Sequence, residues 1–316
     1  MRIAIIDLGT NTFHLLIAEV SEKSHLILLK EKSVVKIGHG GISQGVITSG
    51  AFERALESIK YFKSKIDQFK VSRAYGTATS AFRNASNGEK LINRIKSIFE
   101  IELQIISGDL EARLIFKGVS QAVKPEKTRS LIMDIGGGSV EFIICNQNKL
   151  LWENSFEIGA QRLLDRYHKN DPITDLEISK IKHYLEKALS KLIAAVKIYE
   201  PQELIGSAGT FDTLIDIYFQ HEKFHKEDQQ TEFHLPFKEF KQIYHEIIIK
   251  NREQRMLIPG MIEMRVDMIV VATVLIQFIL ETCFLQKIRV SSYALKEGYL
   301  FSIMEDLRKQ ALITSK

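Results

Sequence analysis

The sequence predicts a mixed α/β protein built as two related sheets, one in each half of the chain. Three observations carry that reading. Strand-like apolar runs alternate with helical stripes in both halves. The segment 4–20, AIIDLGTNTFHLLIAEV, is echoed at 131–147 by LIMDIGGGSVEFIICNQ, with Asp7 over Asp134, Gly9 over Gly136 and Thr12 over Ser139, an offset of 127 residues. The length, 316 residues, suits two domains of roughly 150 residues each. A 127-residue repeat is too long for a solenoid and fits two similar domains, each opening with a strand–turn–strand.

In chain order, 3–7, 13–20 and 26–31 read as strands. Residues 48–69 place Phe52, Leu56, Ile59, Phe62, Ile66 and Phe69 on one helical stripe, behind an N-cap at Thr48 or Ser49. A strand and loop at 72–79, a capped helix at 86–100, a strand at 101–106 and a helix at 108–123 follow. The polar stretch 124–129 contains Pro125 and is the linker candidate. Beyond it come strands at 130–134, 140–147 and 149–156, then helices at 159–168 and 174–199. Residues 201–219 read as strand, glycine turn and helix, 287–292 as a last strand and 293–312 as a last helix. The run 268–280 is apolar throughout and well short of the ~20 residues a membrane-spanning helix needs, so it is read as a core helix.

Bulk composition narrows the function classes. With 43 Lys+Arg against 39 Asp+Glu the net charge is +4, too balanced to mark a nucleic-acid-binding protein. The two cysteines, Cys145 and Cys283, sit in apolar runs without C-x-x-C spacing, which predicts buried reduced thiols and no zinc or redox pair. The apolar run from Ile3 is stopped by Asp7, so the N-terminus does not read as a signal peptide. The expectation is a soluble cytoplasmic protein with neither membrane nor nucleic acid as partner.

Four stretches share a design of apolar strand followed by a Gly/Ser/Thr-rich loop: DLGTNT (7–12), GTATSAFR (76–83), DIGGGS (134–139) and GSAGT (206–210). Glycine lets successive N–H groups turn into one concavity, hydroxyls add donors, and such a nest binds phosphate. After GSAGT the helix N-terminus adds its dipole. None is G-x-x-x-x-G-K-[ST] or G-x-G-x-x-G, and one alone would be an ordinary hairpin. Four together, two of them on the repeat and each of those opening with Asp, point to phosphate. A carboxylate beside a phosphate repels it unless a cation intervenes, and Mg²⁺, held by one or two carboxylates plus substrate oxygens and water, meets that need. Glu141 stands seven residues after Asp134 in the outgoing strand, and on its own it reads equally as a solvent-facing glutamate. Arg83 offers a planar fork suited to phosphate, or a surface ion pair. Asp109 and Glu111 open a helix, either as partners of its dipole or as a carboxylate that directs water.

These pieces in this order resemble the exopolyphosphatase / guanosine pentaphosphate phosphohydrolase (Ppx/GppA) family of the acetate kinase–sugar kinase–Hsp70–actin superfamily. The matching stretches are AIIDLGTNTFHLLI, GTATSAFRNASNG, IISGDLEARLIFKGV, LIMDIGGGSVEFI, IGAQRLLDRY, IGSAGTFDTL, RMLIPGMIEMRVDMIV and VSSYALKEGYL, spread over most of the chain. The resemblance implies two ribonuclease-H-like (actin-like ATPase) domains facing an interdomain cleft, at 1–124 and 125–299, with the final helix 300–316 packing back on the first. It implies Mg²⁺-dependent (or other divalent-dependent) release of terminal orthophosphate from inorganic polyphosphate, or of the 5′-phosphate of pppGpp, by a homodimeric enzyme. By resemblance Glu111 is the catalytic base. Asp134 and Glu141 handle metal and water, with Asp7 a third metal candidate. Gly9, Thr10, Asn11 and Thr12, Gly136, Gly137, Gly138 and Ser139, Gly209 and Thr210, together with Asp7 and Arg83, hold phosphate.

The sequence departs from the family pattern at Leu110, where the first Glu of Ser-Gly-x-Glu-Glu-Ala is expected, and at Ala294 and Lys296, where Gly and Arg are common. It resembles the short two-domain form, which leaves open where a long polyphosphate would run. A kinase of the same superfamily and a non-catalytic polyphosphate or nucleotide sensor are the other readings. Glu111 beside Ser107-Gly108 fits a hydrolase better than a kinase, and a sensor has no need of a water-directing base.

Overall fold

The computed structural model describes residues 1–124, 126–147, 149–227 and 229–314. Pro125 of the expected linker and residues 315–316 of the expected last helix lie outside the described residues. The chain divides into two compact units, Met1–Gly118 with Leu295–Lys316, and Val119–Ala294. The division falls inside a helix rather than at 124/125, because the chain leaves the first unit without breaking its helical hydrogen bonding.

The first unit contains β1 (Arg2–Leu8), β2 (Thr12–Val20), β3 (His25–Val34), α1 (Ser49–Gln68), β4 (Arg73–Ala78), α2 (Ser80–Asn84), α3 (Gly88–Phe99), β5 (Gln104–Ile105) and most of α4 (Gly108–Ala122). Its sheet runs β3-β2-β1-β4-β5. β1 is central and Ile3, Ala4, Ile5 and Ile6 are all fully buried, as a strand covered on both faces requires. One face packs on α1 and α3 through Ala55, Ile59, Phe62, Leu91 and Ile95. Thr48 caps α1, its hydroxyl accepting from the Ala51 amide at 3.4 Å. The other face packs Ile3, Ile5, Leu16 and Ala18 on Leu300, Ile303 and Met304 of the last helix (Leu295–Thr314). At Gly298 a Cβ would lie 1.7 Å from the Leu114 carbonyl oxygen, so that helix and α4 meet backbone to backbone.

The second unit adds β6 (Arg129–Ile135), β7 (Val140–Asn146), β8 (Lys149–Phe156), α5 (Ala160–Tyr167), α6 (Asp175–Ala188), α7 (Ser190–Tyr199), β9 (Glu203–Ser207), α8 (Ala208–Glu222), β10 (Glu232–Pro236), α9 (Phe237–Ile249), α10 (Arg252–Met256), α11 (Met268–Thr282) and β11 (Lys287–Ser291), and the last helix becomes α12. Its sheet runs β10-β11-β9-β6-β7-β8. Apart from β10 this is the first sheet again: β8-β7-β6-β9-β11 repeats β3-β2-β1-β4-β5, with the same parallel and antiparallel pairings. Even the irregularity recurs, between Ile17 and Ala18 in one hairpin and between Ile144 and Cys145 in the other, 127 residues on. These are the two related sheets read from the sequence, and they match the ribonuclease-H-like pair that the family resemblance implies. α11 is buried along its whole apolar run and forms the centre of the second core. No helix among the described residues is long and apolar enough to cross a membrane.

Three expectations on secondary structure need correction. The strand at 101–106 pairs only at Gln104 and Ile105, because Ile101 and Ile106 are apolar through burial in the core and not through ladder pairing. The helix at 174–199 is two helices, broken at Leu189, where neither Gly nor Pro interrupts the apolar period. β10, α9 and α10 occupy a stretch to which the sequence reading assigned no element.

Candidate active site

In the second unit a row of polar side chains crosses the buried sheet. Asp134 on β6 pairs in register with Glu141 on β7 and with Ser207 on β9, and Glu141 pairs with Ser155 on β8. Register partners point to the same face, so two carboxylates stand side by side, each flanked by a serine. Both are buried, Asp134 at 7% exposure and Glu141 at 1%, which removes the solvent-facing reading of Glu141. The Ser155 hydroxyl donates to Glu141 Oε1 at 2.6 Å, and the Ser207 hydroxyl donates to Asp134 Oδ2.

The loop that follows Asp134 is shaped from behind. The Gly136 amide donates to the Ser139 carbonyl at 3.0 Å. The carbonyls of Gly138, Gly136 and Gly137 accept from the amides of Gly159, Ala160 and Gln161, at 3.0, 2.9 and 2.9 Å. With its oxygens tied to the start of α5, the loop presents amides: among the described residues no acceptor takes the N–H of Gly137, Gly138 or Ser139. Unsatisfied amides of consecutive residues form an anion nest. Gly159 makes the fit possible, since a Cβ there would lie 2.4 Å from the Gly137 carbonyl carbon.

Gly209 and Thr210 open α8 beside this row, after Ala208 in the left-handed conformation (φ 67°). A Cβ at Gly209 would lie 2.1 Å from Arg265 Nη2, so the Arg265 guanidinium rests on the loop backbone. Burial lowers the Arg265 pKa, while Asp212 and then Asp134 raise it. A cation is thus held beside the nest and the carboxylate row.

The first unit builds the equivalent hairpin differently. The Gly9 amide donates to the Thr12 carbonyl at 3.2 Å, as in the second loop, and Thr10, Asn11 and Thr12 are buried. Here the loop carbonyls accept from Val35, Lys36 and Gly38 instead of from a helix. Asp7 pairs in register with His14 and with Thr77. The Thr79 amide donates to the Leu8 carbonyl at 3.2 Å, which sets the 76–83 loop against 7–12.

That loop leads into α2 and Arg83, whose Nη1 donates to Glu111 Oε2 at 3.0 Å and to the Ile106 carbonyl at 3.0 Å. Glu111 is 7% exposed, on the first turn of α4, where the Ser107 hydroxyl accepts from the Leu110 amide at 3.2 Å. Leu110 is exposed, so the leucine at the family's first acidic position leaves the buried Glu111 undisturbed. Asp109 is exposed as well, which suits the dipole role.

Each unit therefore gathers its own share of the predicted residues. The first brings Asp7, Gly9, Thr10, Asn11 and Thr12 next to the loop carrying Arg83, and Arg83 next to Glu111. The second brings Asp134, Gly136–Ser139, Glu141, Gly209 and Thr210 together. The donor set of the second fits Mg²⁺: two neighbouring carboxylates supply hard oxygen ligands and leave positions for water and phosphate. Four contributors escaped the sequence reading. Arg265 and Gly159 stand inside family-shared stretches, RMLIPGMIEMRVDMIV and IGAQRLLDRY, and were within reach. Ser207 lay in the quoted GSAGT loop without a role. Ser155 carried no signal, being one serine on an ordinary strand.

Comparison with known proteins finds relatives along nearly the whole chain. The model of the Ppx/GppA phosphatase family matches residues 16–307. A crystal structure of an exopolyphosphatase from Cytophaga hutchinsonii is 44% identical, superposes with a TM-score of 0.94, and the match covers 97% of this chain and 98% of that one. The Aquifex aeolicus member of the Ppx/GppA family is 26% identical with a TM-score of 0.78, over 98% of both chains. A guanosine-5′-triphosphate,3′-diphosphate pyrophosphatase of Pseudoalteromonas translucida is 26% identical over 304 residues, 96% of this chain and 59% of that protein.

Proposed function

The chain belongs to the Ppx/GppA phosphatase family, and on that premise we propose that it releases terminal orthophosphate from inorganic polyphosphate by attack of water. The observation that carries the proposal is the buried Glu111 held at 3.0 Å by Arg83, a base and a phosphate-binding cation already in contact. The 44% identity to an exopolyphosphatase favours polyphosphate over pppGpp.

Phosphoryl transfer needs in-line placement and neutralised oxygens more than covalent help. The amides of Gly137, Gly138 and Ser139 hold the terminal phosphate, and in the other unit Arg83 carries a guanidinium fork suited to phosphate oxygens. Glu111 accepts a proton from the water as its oxygen bonds to phosphorus. The bond from phosphorus to the bridging oxygen breaks, and the shortened chain leaves with that oxygen. Mg²⁺ held by Asp134 and Glu141 would offset charge on the phosphate oxygens. Ser207 and Ser155 orient the two carboxylates, and Arg265 adds positive charge at the loop. By the family resemblance we also expect a cytoplasmic homodimer.

Mg²⁺-dependent phosphate release from long-chain polyphosphate and from pppGpp, run in parallel, tests the proposal. The higher kcat/KM is expected for polyphosphate. Preference for pppGpp would assign the same site to guanosine pentaphosphate hydrolysis, and release from neither would leave a sensor.

A further inference from the structure

α5 links the phosphate loop to a second feature of the same unit. Its first turn is hydrogen-bonded to the carbonyls of Gly136, Gly137 and Gly138. Its other end, about 12 Å away at 1.5 Å per residue, carries Arg166 and Tyr167. These form one wall of an open cavity of about 540 Å³, and Lys180, His183, Tyr184 and Lys187 of α6 form the other. That volume lies in the range of small-molecule sites.

The charge pattern of the cavity is one-sided. No carboxylate lines it. Among the described residues Arg166, Lys180 and Lys187 enter no ion pair, whereas their neighbour Lys182 is paired with Glu281 at 2.7 Å and His183 faces Glu186 at 3.6 Å. The Arg166 guanidinium carbon lies 4.8 Å from the Tyr184 ring centre and 5.3 Å from that of Tyr167, and the two rings are 5.5 Å apart. Two ring faces thus fix the Arg166 fork in place and leave its edge for an acceptor. Surface lysines ordinarily point apart into solvent. Here Lys180, His183 and Lys187 fall at i, i+3 and i+7 on one face of α6, a line about 10 Å long.

We propose that this groove is a second phosphate-chain site, which holds inorganic polyphosphate some units behind the end seated at Gly136–Ser139. The inference rests on the reading of the substrate as a phosphoanhydride chain. Arg166, Lys180 and Lys187, which enter no ion pair among the described residues, fit an extended polyanion better than a single phosphate, and α5 fixes the groove wall to the back of the loop through Arg162, which pairs with Glu157 at 3.1 Å and donates its Nε to the Gly138 carbonyl at 2.9 Å. The groove would favour long chains by keeping the shortened product near the loop between cleavages.

The test is equilibrium binding in the E111Q background, where turnover plays no part, with long-chain polyphosphate and tripolyphosphate as probes. Lys180 and Lys187 are exposed on a helix, so K180Q/K187Q should leave the melting temperature unchanged. The variant is expected to weaken long-chain binding about tenfold and to flatten its salt dependence, with tripolyphosphate binding unaffected. Unchanged long-chain affinity, or equal weakening for both probes, overturns the groove. So does a single-stranded oligonucleotide that binds as tightly and is lost in the same variant, since it would make the groove a nucleic-acid surface. A wild-type protein that binds polyphosphate but does not cleave it would instead overturn the proposed function alone.

Discussion

The hairpin of Asp7–Thr12 and the hairpin of Asp134–Ser139 are one structure used twice. Strand register, the glycine-to-carbonyl bond across the turn and the irregularity in the outgoing strand recur at an offset of 127 residues. Their differences lie in what surrounds the carboxylate. Asp134 has Glu141 as its cross-strand neighbour, whereas Asp7 has His14. The loop of the second unit is bound from behind by a helix start, and that of the first by the segment 35–38. The backbone is shared and the neighbours differ: a buried carboxylate pair, proposed to hold a cation, in one unit, and Glu111 with Arg83, the proposed base and its arginine, in the other.

The largest expected effect comes from removing that asymmetry. D134N should lower kcat/KM by ~10³-fold or more and raise the Mg²⁺ concentration needed for activity, since it removes a proposed metal ligand. D7N, beside His14, should cost at least ~10-fold less. Equal losses, measured as kcat/KM across a Mg²⁺ titration, would make the two hairpins functionally alike and break the distinction.

Ser155 sharpens it further, because the first hairpin has no committed counterpart. S155A frees Glu141 Oε1 of its 2.6 Å hydrogen bond and should weaken Mg²⁺ activation by about 10–100-fold, the usual cost of losing an outer-sphere partner. Normal Mg²⁺ dependence in S155A would remove the serine from the site.

The two loop supports predict a smaller difference in stability. A Cβ at Gly159 meets backbone 2.4 Å away, while one at Gly38 meets the Thr10 methyl at 2.6 Å, which can rotate. G159A should cost about 1–3 kcal/mol and raise KM by displacing the loop, and G38A should cost less. Thermal denaturation and steady-state kinetics of both variants check this.

The smallest effect concerns helix caps and acid. α6 begins with Thr174 and Glu177 in a reciprocal capping box, whereas α1 has Thr48 alone. Burial pushes the Glu177 pKa up, but hydrogen bonds from the Thr174 amide and hydroxyl and from the Lys169 and Asn170 amides outweigh it and bring it to about 2. A folded pKa below the unfolded value stabilises the protein above pH ~4.5, and that stability is lost as pH falls toward 2. E177Q should therefore lower the melting temperature at neutral pH and lose less of it on acidification than the wild type.

Much of this was legible in the sequence, for definite reasons. The hairpins announced themselves because central strands buried on both faces are apolar throughout and the turns demand glycine at fixed places. α11 was readable as core because its run is unbroken and too short for a membrane. Arg83 and Glu111 each stood out, yet their pairing spans 28 residues and needs β4, α2 and α4 in place to be seen. Ser155 was invisible because its role comes from strand register, which a single strand does not encode. The break at Leu189 was hidden because apolar residues continue through it. Glu141 was ambiguous until the sheet around it showed that both faces of β7 are covered.

The most direct test of the central claim, that Glu111 directs water at the terminal phosphate, is E111Q measured for both turnover and binding of polyphosphate. The account predicts a fall in kcat of about 10²–10⁴-fold with the dissociation constant for the chain unchanged. A kcat near that of the wild type, or a loss explained wholly by weaker binding, would contradict it.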